Sequence, residues 1–340
     1  MIETLNTLDH VKLSRLSDLL AKTKRAAVFT HVNPDGDALG SGLALVSLFK
    51  AMGIESRLII PNTVPSNLKW LPNYDNVWEA PSVETVADWL EYTHTIFLVD
   101  FNQYSRIAPY DPLVRGSRVP VVLIDHHQQP QIDAQLVFSE IEVSSTAELC
   151  HQIFKNLFQT YFSLDYATCI YSGIVTDTGS FSYNSSWDHT FECVAELIRM
   201  GINKDQITSM IFKNNTENRL RLLGQILTNG MEVLPEYHTA YMTLSLEDQK
   251  RFDYQEGDSE NFVNYPLSIK DIRFSAFFHE KPDEIKISLR SEGDFSVNTI
   301  ARRYFNGGGH KNAAGGRSFK SLNETIQDFL TILRNHAHEI

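Results

Sequence analysis

Short apolar runs alternate with segments of helical periodicity through roughly the first 190 residues, and this alternation constrains the fold more than any other feature. Such an order predicts an α/β domain, in which helices cover both faces of a parallel sheet. Ligands of these folds bind at the carboxyl ends of the strands. Strands are predicted at 25–30, 55–60, 95–101 and 119–125, and helices at 38–53, 144–158 and 165–178.

The second half of the chain has a different pattern. A charged helical stretch predicts a connector, and three apolar runs after it predict strands at 240–246, 271–280 and 284–290. A helix at 297–305, the glycine-rich loop NGGGHKNAAGG at 306–316 and a C-terminal helix follow. We therefore expect a smaller α+β domain here. The predicted boundaries are 1–200 for the N-terminal domain, 201–234 for the helical connector and 235–340 for the C-terminal domain.

Composition excludes several classes of protein. The apolar runs are far shorter than the ~20 residues that span a bilayer, and the N-terminus lacks the basic and apolar regions of a secretory signal. Three cysteines without CxxC spacing indicate a reduced, cytoplasmic protein. The net charge of −12 argues against a long nucleic-acid duplex as partner, because phosphates normally bind to basic surfaces. Short anionic substrates held through metal ions remain compatible with it.

Carboxylates and imidazoles collect where the predicted strands end. Any one of them could be an ordinary loop residue or a helix cap, and Asp37 could be an N-cap. Their coincidence at one edge of a parallel sheet favours a site, because four or five carboxylates there would repel each other unless cations lie between them. The residues are His31, Asp35, Asp37, Asp100, Asp125, His126, His127 and Asp177.

The mixture of donors indicates the metal and the chemistry. Imidazole together with carboxylate suits manganese, iron or zinc better than magnesium alone. More than four ligands suggest two ions with one bridging carboxylate. A two-metal site holds its ions ~3.5–4 Å apart and lowers the pKa of bound water from 15.7 to about 7, which provides hydroxide at neutral pH. The sequence therefore predicts a hydrolase.

Four motifs of the N-terminal half, HVNPDGDALGS, LVDFN, IDHH and TDTGSF, resemble in their order those of the DHH phosphoesterase superfamily. NGGGHKNAAGG resembles the glycine-rich motif of the DHH-associated C-terminal domain. The resemblance spans nearly the whole chain and is strongest to the stand-alone NrnA-type enzymes. It implies a phosphoesterase that degrades very short oligoribonucleotides to mononucleotides and converts 3′-phosphoadenosine 5′-phosphate to AMP. Homodimers are common among such enzymes.

The resemblance also implies a role for each residue. Two divalent ions, expected to be Mn²⁺, share a bridging hydroxide. His127 is expected to face the substrate phosphate, and Asp125 to orient a ligand histidine. The remaining histidines, His151 and His189 among them, lack a motif and are interpreted as surface or structural. The first metal is expected to bind His31, Asp35 and Asp100, and the second Asp37, Asp100, His126 and Asp177.

In that superfamily the second domain binds the nucleotide and faces the metals. Within 286–320, seven basic residues stand against two acidic ones, and glycines let backbone amides approach a phosphate closely. The alternative is that the glycine-rich segment is an ordinary turn and that the basic residues lie on a solvated helix face. Because the basic segment is short and its attraction local, we expect substrates of roughly two to five nucleotides. The predicted substrate-binding residues are Arg290, Asn298, Gly308, Gly309 and His310.

Other functions stay open on the sequence alone. The same two domains occur in cyclic-dinucleotide phosphodiesterases. Related DHH proteins hydrolyse polyphosphate or pyrophosphate, but the glycine-rich motif disfavours that reading because it resembles the nucleotide-binding form. A nucleotide sensor that has lost catalysis is disfavoured because all six proposed metal ligands are present.

Overall fold

The structure is a computed structural model that describes residues 9–213, 215–309 and 311–340. The chain divides into two compact units between positions 214 and 215. Among the described residues, no helix combines the length and the apolar content that a bilayer span requires.

The N-terminal unit contains a six-stranded sheet in which every neighbouring pair is parallel, as the alternation predicted. Its order is β3-β2-β1-β4-β5-β6. The chain therefore reverses direction across the sheet between β1 and β4, and such a switch point opens a crevice at the carboxyl ends of the two strands. The strands are β1 (Arg25–Phe29), β2 (Glu55–Ile60), β3 (Val77–Glu79), β4 (Thr95–Val99), β5 (Val121–Asp125) and β6 (Leu136–Ser139).

Helices cover both faces of this sheet. Successive residues of β1 alternate between two hydrophobic clusters, one formed with α2, α5 and α6 and the other with α3 and α4. The helices are α1 (His10–Leu20), α2 (Gly36–Ala51), α3 (Val83–Glu91), α4 (Asp111–Gly116), α5 (Thr146–Phe158), α6 (Leu164–Asp177), α7 (Asp188–Arg199) and α8 (Lys204–Phe212).

Helices α2 and α6 pack backbone against backbone. A Cβ atom added at Gly40 would lie 2.6 Å from the carbonyl oxygen of Cys169, and one at Gly173 would lie 2.8 Å from Oδ1 of Asp37. These contacts leave room for glycine alone. They bring the start of α2, with its acidic residues, close to α6.

The second unit has a mixed sheet of order β11-β12-β10-β9-β8-β7, in which only β8 and β9 pair in parallel among the described strands. It confirms the smaller α+β domain. Its helices pack against a core that includes Phe274, Phe278 and Phe329. The elements are α9 (Glu217–Gln225), β7 (Met231–Leu234), β8 (Thr239–Leu244), α10 (Leu246–Arg251), β9 (Phe274–Glu280), β10 (Ile285–Ser291), α11 (Val297–Tyr304), β11 (Gly308–Gly309), β12 (Ala313–Ser318) and α12 (Leu322–His336).

The glycine-rich segment is not the plain loop that the sequence predicted. Gly308–Gly309 and Ala313–Ser318 pair as antiparallel strands at the edge of the sheet. A Cβ at Gly307 would lie 1.9 Å from the carbonyl oxygen of Gly315, so the backbones approach closely. Glycine and alanine have low strand propensity, and pairing with β10 overrides it.

Candidate metal centre

The predicted ligands come from element ends at the switch point of the N-terminal sheet. His31 lies just beyond β1, and Asp35 caps α2 by accepting hydrogen bonds from the amides of Asp37 (3.1 Å) and Ala38 (3.0 Å). The alternative that Asp37 is itself the N-cap is therefore wrong. Asp100 follows β4 with a left-handed φ of 66°, a conformation that aspartate tolerates better than most residues.

One group of possible ligands forms around His31. One donor atom each from His31, Asp35 and Asp100 lies within 4.8 Å of the others, and Nε2 of His31 is 3.4 Å from Oδ2 of Asp100. Nδ1 of His31 is 2.9 Å from the carbonyl oxygen of Val32. When Nδ1 carries the proton and donates a hydrogen bond to this carbonyl oxygen, Nε2 keeps a free lone pair on the side of Asp100. A metal-ligating histidine needs such a lone pair.

A second group forms around His126. Asp37, His126 and Asp177 also present donor atoms within 4.8 Å of one another. Nε2 of His126 lies 3.9 Å from Oδ2 of Asp37, 3.7 Å from Oδ1 of Asp100 and 3.5 Å from Oδ2 of Asp177. Asp100 thus directs one carboxylate oxygen towards each group, which is the geometry that a bridging ligand needs.

The start of α5 holds two of these carboxylates in place. The amides of Thr146 and Ala147 donate to the two oxygens of Asp37, at 2.7 Å and 2.9 Å, and the Thr146 hydroxyl donates to Oδ1 of Asp100 at 2.8 Å. Helix N-termini favour negative charge at such positions. The sequence predicts a cap of this helix at Ser144 or Ser145, and Ser145 is its N-cap in the structure.

The electrostatics of the centre fit divalent cations. Burial raises the pKa of Asp37 and of Asp100 well above the usual range, and neighbouring carboxylates raise both further. Burial also lowers the pKa of His31 and of His126 to about 4, so both imidazoles are neutral at pH 7. Neutral imidazoles beside crowded carboxylates are the donors that a divalent cation takes, and its charge relieves the repulsion between the carboxylates.

Asp125 contacts His127, a histidine that also groups with Asp100 and His126 among the possible metal donors. Its buried Oδ1 lies 2.7 Å from Nδ1 of His127. Burial alone would lower the pKa of His127, but the hydrogen bond and charge of Asp125 outweigh it and the pKa is raised. His127 is partly exposed, so this pair presents an imidazole with a raised pKa at the edge of the centre.

Arg106 is a residue of the centre that sequence reasoning missed. It lies in a short 3₁₀ turn after β4, and its carbonyl oxygen accepts a hydrogen bond from Val32 at 2.8 Å. After burial, its positive charge is the second cause of the lowered pKa of His31, so the Arg106 guanidinium acts on the ligand group. An isolated arginine beyond a strand end carries no motif that could have revealed it.

The predicted substrate-binding residues lie in the C-terminal unit, except that His310 falls outside the described residues. Arg290 is half-buried on β10, and its Nη1 donates to the carbonyl oxygen of Leu289 at 3.0 Å. Asn298 accepts a hydrogen bond from Nε of Arg302 at 3.2 Å. A Cβ at Gly308 would lie 3.7 Å from Nε of Arg302 and 3.8 Å from Oδ1 of Asn298. Asn298, Arg302 and Gly308 therefore form one small polar group. Arg302 was not among the predicted substrate-binding residues.

Part of the predicted basic segment is already paired with carboxylates. Lys311 contacts Asp294 at 2.7 Å, Arg317 contacts Glu284 at 3.5 Å and Lys320 contacts Asp328 at 2.6 Å. The positive charge available to an anion is therefore smaller than the sequence suggested.

Comparisons with known proteins agree with both halves of the architecture. Residues 25–174 match the model of the DHH family, N-terminal domain, and residues 236–339 match the DHHA1 domain. The chain is 27% identical to the "Bifunctional oligoribonuclease and PAP phosphatase NrnA" of Thermus thermophilus, over 89% of this chain and 90% of that protein. The Bacillus subtilis protein of the same name is 26% identical, over 90% and 94%.

A solved structure is similar over the whole length. The crystal structure of an exopolyphosphatase-related protein from Bacteroides fragilis superposes with a TM-score of 0.94. The two sequences are 36% identical, and the alignment covers 98% of each chain.

Proposed function

The chain belongs to the DHH family and carries the DHHA1 domain, and from this premise we propose that it is a metal-dependent phosphoesterase. Its substrates are short oligoribonucleotides, cleaved to mononucleotides, and 3′-phosphoadenosine 5′-phosphate, cleaved to AMP. The Thermus and Bacillus relatives, named for these two activities, support the substrates. The observation that carries the chemistry is Asp100, whose two oxygens face His31 and His126.

The proposed ligands are those that the two groups contain. His31, Asp35 and Asp100 would hold one divalent ion, and Asp37, Asp100, His126 and Asp177 the other. Mixed nitrogen and oxygen donors suit manganese, iron or zinc, and the resemblance favours Mn²⁺ among these. When bound, such cations stabilise the charge of a transferring phosphoryl group and activate water for attack.

Two residues beside the centre, His127 and Arg106, are suited to the phosphate. His127 is held by Asp125 through Nδ1, and its raised pKa keeps the ring positively charged over a wider pH range. We propose that it donates a hydrogen bond from Nε2 to a phosphate oxygen. Arg106 would add a bidentate contact to the same phosphate. Both contacts become stronger as negative charge develops on the phosphoryl oxygens.

In the C-terminal unit, we propose that the polar group of Asn298, Arg302 and Gly308 binds the phosphate or sugar of the nucleotide. Asn298 orients the Arg302 guanidinium through the hydrogen bond at Nε. The two terminal nitrogens of that guanidinium take no part in this bond. Arg290 and His310 are included in this proposal on the resemblance alone.

A product time course on a substrate panel tests the proposal. The panel contains linear di- to decaribonucleotides, 3′-phosphoadenosine 5′-phosphate, a cyclic dinucleotide and polyphosphate, each with Mn²⁺. We expect the shortest linear substrates and the bisphosphate to react fastest. Polyphosphate is included as the competing substrate because the Bacteroides fragilis relative is named an exopolyphosphatase-related protein. Preferential hydrolysis of polyphosphate, or of the cyclic over the linear dinucleotide, would contradict the proposal.

A further inference from the structure

A buried glutamate of α5 contacts a histidine that belongs to none of the motifs. Glu148 lies in the first turn of α5, and its side chain is fully buried. Oε1 of Glu148 is 2.5 Å from Nδ1 of His189, and Oε2 accepts a hydrogen bond from the Thr190 hydroxyl at 2.8 Å. Because His189 and Thr190 begin α7, Glu148 joins the N-terminal ends of two helices.

The same carboxylate fixes the residues before α5. Ser144 donates to Oε2 from its amide (3.1 Å) and its hydroxyl (2.5 Å), and Gln152 donates to Oε1 at 2.9 Å. Burial alone would raise the pKa of Glu148, but these hydrogen bonds, led by that with His189, lower it. The pKa of His189 is raised, chiefly by its hydrogen bond to Glu148. Both shifts favour an ion pair, in which the carboxylate of Glu148 accepts several hydrogen bonds while Nε2 of His189 is buried without a hydrogen-bond partner.

The segment that Glu148 holds is the one that positions the proposed ligands. Thr146 and Ala147 supply the two amides that bind Asp37, and the Thr146 hydroxyl binds Asp100. Val143 makes a backbone hydrogen bond with His126. Residues 143–147 therefore contact three proposed ligands. The hydrogen bonds from Ser144 to Glu148 hold this segment in place.

We propose that His189 is a positioning residue for the metal centre. Acting through Glu148, it keeps residues 143–147 where their donors hold Asp37 and Asp100 in the orientation that binds metal. Without it, the start of α5 is less restrained and the affinity for metal falls. This inference rests on the metal requirement of the proposed function.

The chain offers a matched control on the same two helices. His151 lies one turn further along α5, and its Nε2 is 3.1 Å from Oε2 of Glu196 on α7. This contact also joins α5 to α7 through a histidine and a glutamate. Its loss should destabilise the packing of the helices to a similar degree, without acting on residues 143–147.

Calorimetric titration of the full chain with Mn²⁺ alone, after removal of metal by chelator, tests the proposal. In His189→Leu we expect the affinity for Mn²⁺ to fall by about 10-fold or more. His189→Asn, whose side-chain amide can still donate to Glu148, should recover most of the loss. His151→Leu should bind Mn²⁺ within about 2-fold of the wild type, because the groups that support the ligands stay in place.

Unchanged affinity in His189→Leu, or equal losses in both leucine variants, would overturn the positioning role. If His189→Leu does not fold, Thr190→Val is the second variant, since it removes one donor to Glu148 at nearly constant volume. It should weaken Mn²⁺ binding by a few-fold, in line with the loss of one hydrogen bond, and unchanged binding would equally refute the proposal. A wild-type protein that binds no Mn²⁺ would overturn the proposed function as well, so the two failures are distinguishable.

Discussion

At the carboxyl edge of the N-terminal sheet, Asp37 and Asp100 are buried together and held by the start of α5. In the C-terminal unit, Arg302 is exposed and contacts one neutral side chain, Asn298. The first arrangement is costly without cations, because each carboxylate raises the pKa of others in the same small volume. The second costs little in the absence of an anion, since water solvates the guanidinium. Substitutions should therefore abolish chemistry in the first region and weaken substrate binding in the second.

The largest expected effect is that of Asp100→Ala. It removes an oxygen from both proposed ligand groups at once, so several kcal/mol of charge stabilisation are lost and turnover should fall by about a thousand-fold or more. The measurement is the initial rate on a dinucleotide with saturating Mn²⁺.

Asp88→Ala is the matched control for Asp100→Ala, because Asp88 is an exposed carboxylate on α3 of the same unit. It should keep wild-type turnover. A folded Asp100→Ala protein, verified by circular dichroism, that turns over at near the wild-type rate would show that Asp100 does not bridge metals.

The second effect separates recognition from chemistry. Arg302→Ala should raise the KM for a dinucleotide by about 10- to 100-fold, the range for one charged hydrogen bond to a ligand. Its kcat on a small generic phosphodiester should stay within about 2-fold of the wild type, because the metal centre is intact. Arg303→Ala is the control, as Arg303 is the exposed neighbour of Arg302 on α11. Equal losses in both variants, or equal losses on both substrates, would remove the distinction between the regions.

The two regions also differ in how far the sequence predicted them. Strand ends place His31, Asp100 and His126 at one edge once the sheet is known to be parallel, and the alternation of elements was enough to predict that sheet. Arg106 was missed because its proximity depends on a turn that follows β4 rather than on a strand end. Likewise, nothing local indicates that Glu148 meets His189, since they are brought together by the packing of α5 on α7.

In the C-terminal unit, the edge strands β11 and β12 could not be predicted because their residues are mostly glycine and alanine. Pairing with β10 makes β12 a strand, and pairing with β12 makes β11 one. The short strands β3 and β6 of the first sheet were missed as well, since three or four residues leave too little periodicity to detect.

A smaller effect concerns pH. Asp37 and Asp100 have raised pKa values, so the metal-free fold takes up protons as pH falls and gains stability from these groups. His31 and His126 have pKa values of about 4 in the fold, against 6.5 for the free side chain, and their contribution to stability is lost as pH falls between these values. Bound metal requires all four groups deprotonated, so protons compete with it.

We therefore expect the rise in Tm caused by Mn²⁺ to be several degrees larger at pH 8 than at pH 6, as measured by differential scanning fluorimetry of the chelator-treated protein with and without added metal. Asp88→Ala should show the same pH dependence as the wild type. A rise that is independent of pH would show that the buried carboxylates of Asp37 and Asp100 are not the metal ligands.

The smallest expected effect is that of substrate length. Three of the basic residues in 286–320 (Lys311, Arg317 and Lys320) are paired with carboxylates, in a chain whose net charge is −12. Positive surface is therefore sufficient for only a few phosphates, and a longer strand gains no further contacts. For single strands, each phosphate contact contributes about −0.7 to the slope of log affinity against log salt. We expect a slope of about −1 to −2, the same for a trinucleotide and a 24-mer, and kcat/KM highest at roughly two to five nucleotides. A slope and a rate that both increase out to the 24-mer would reveal a longer basic track, and the C-terminal unit would then be a strand-binding surface rather than a site for one or two phosphates.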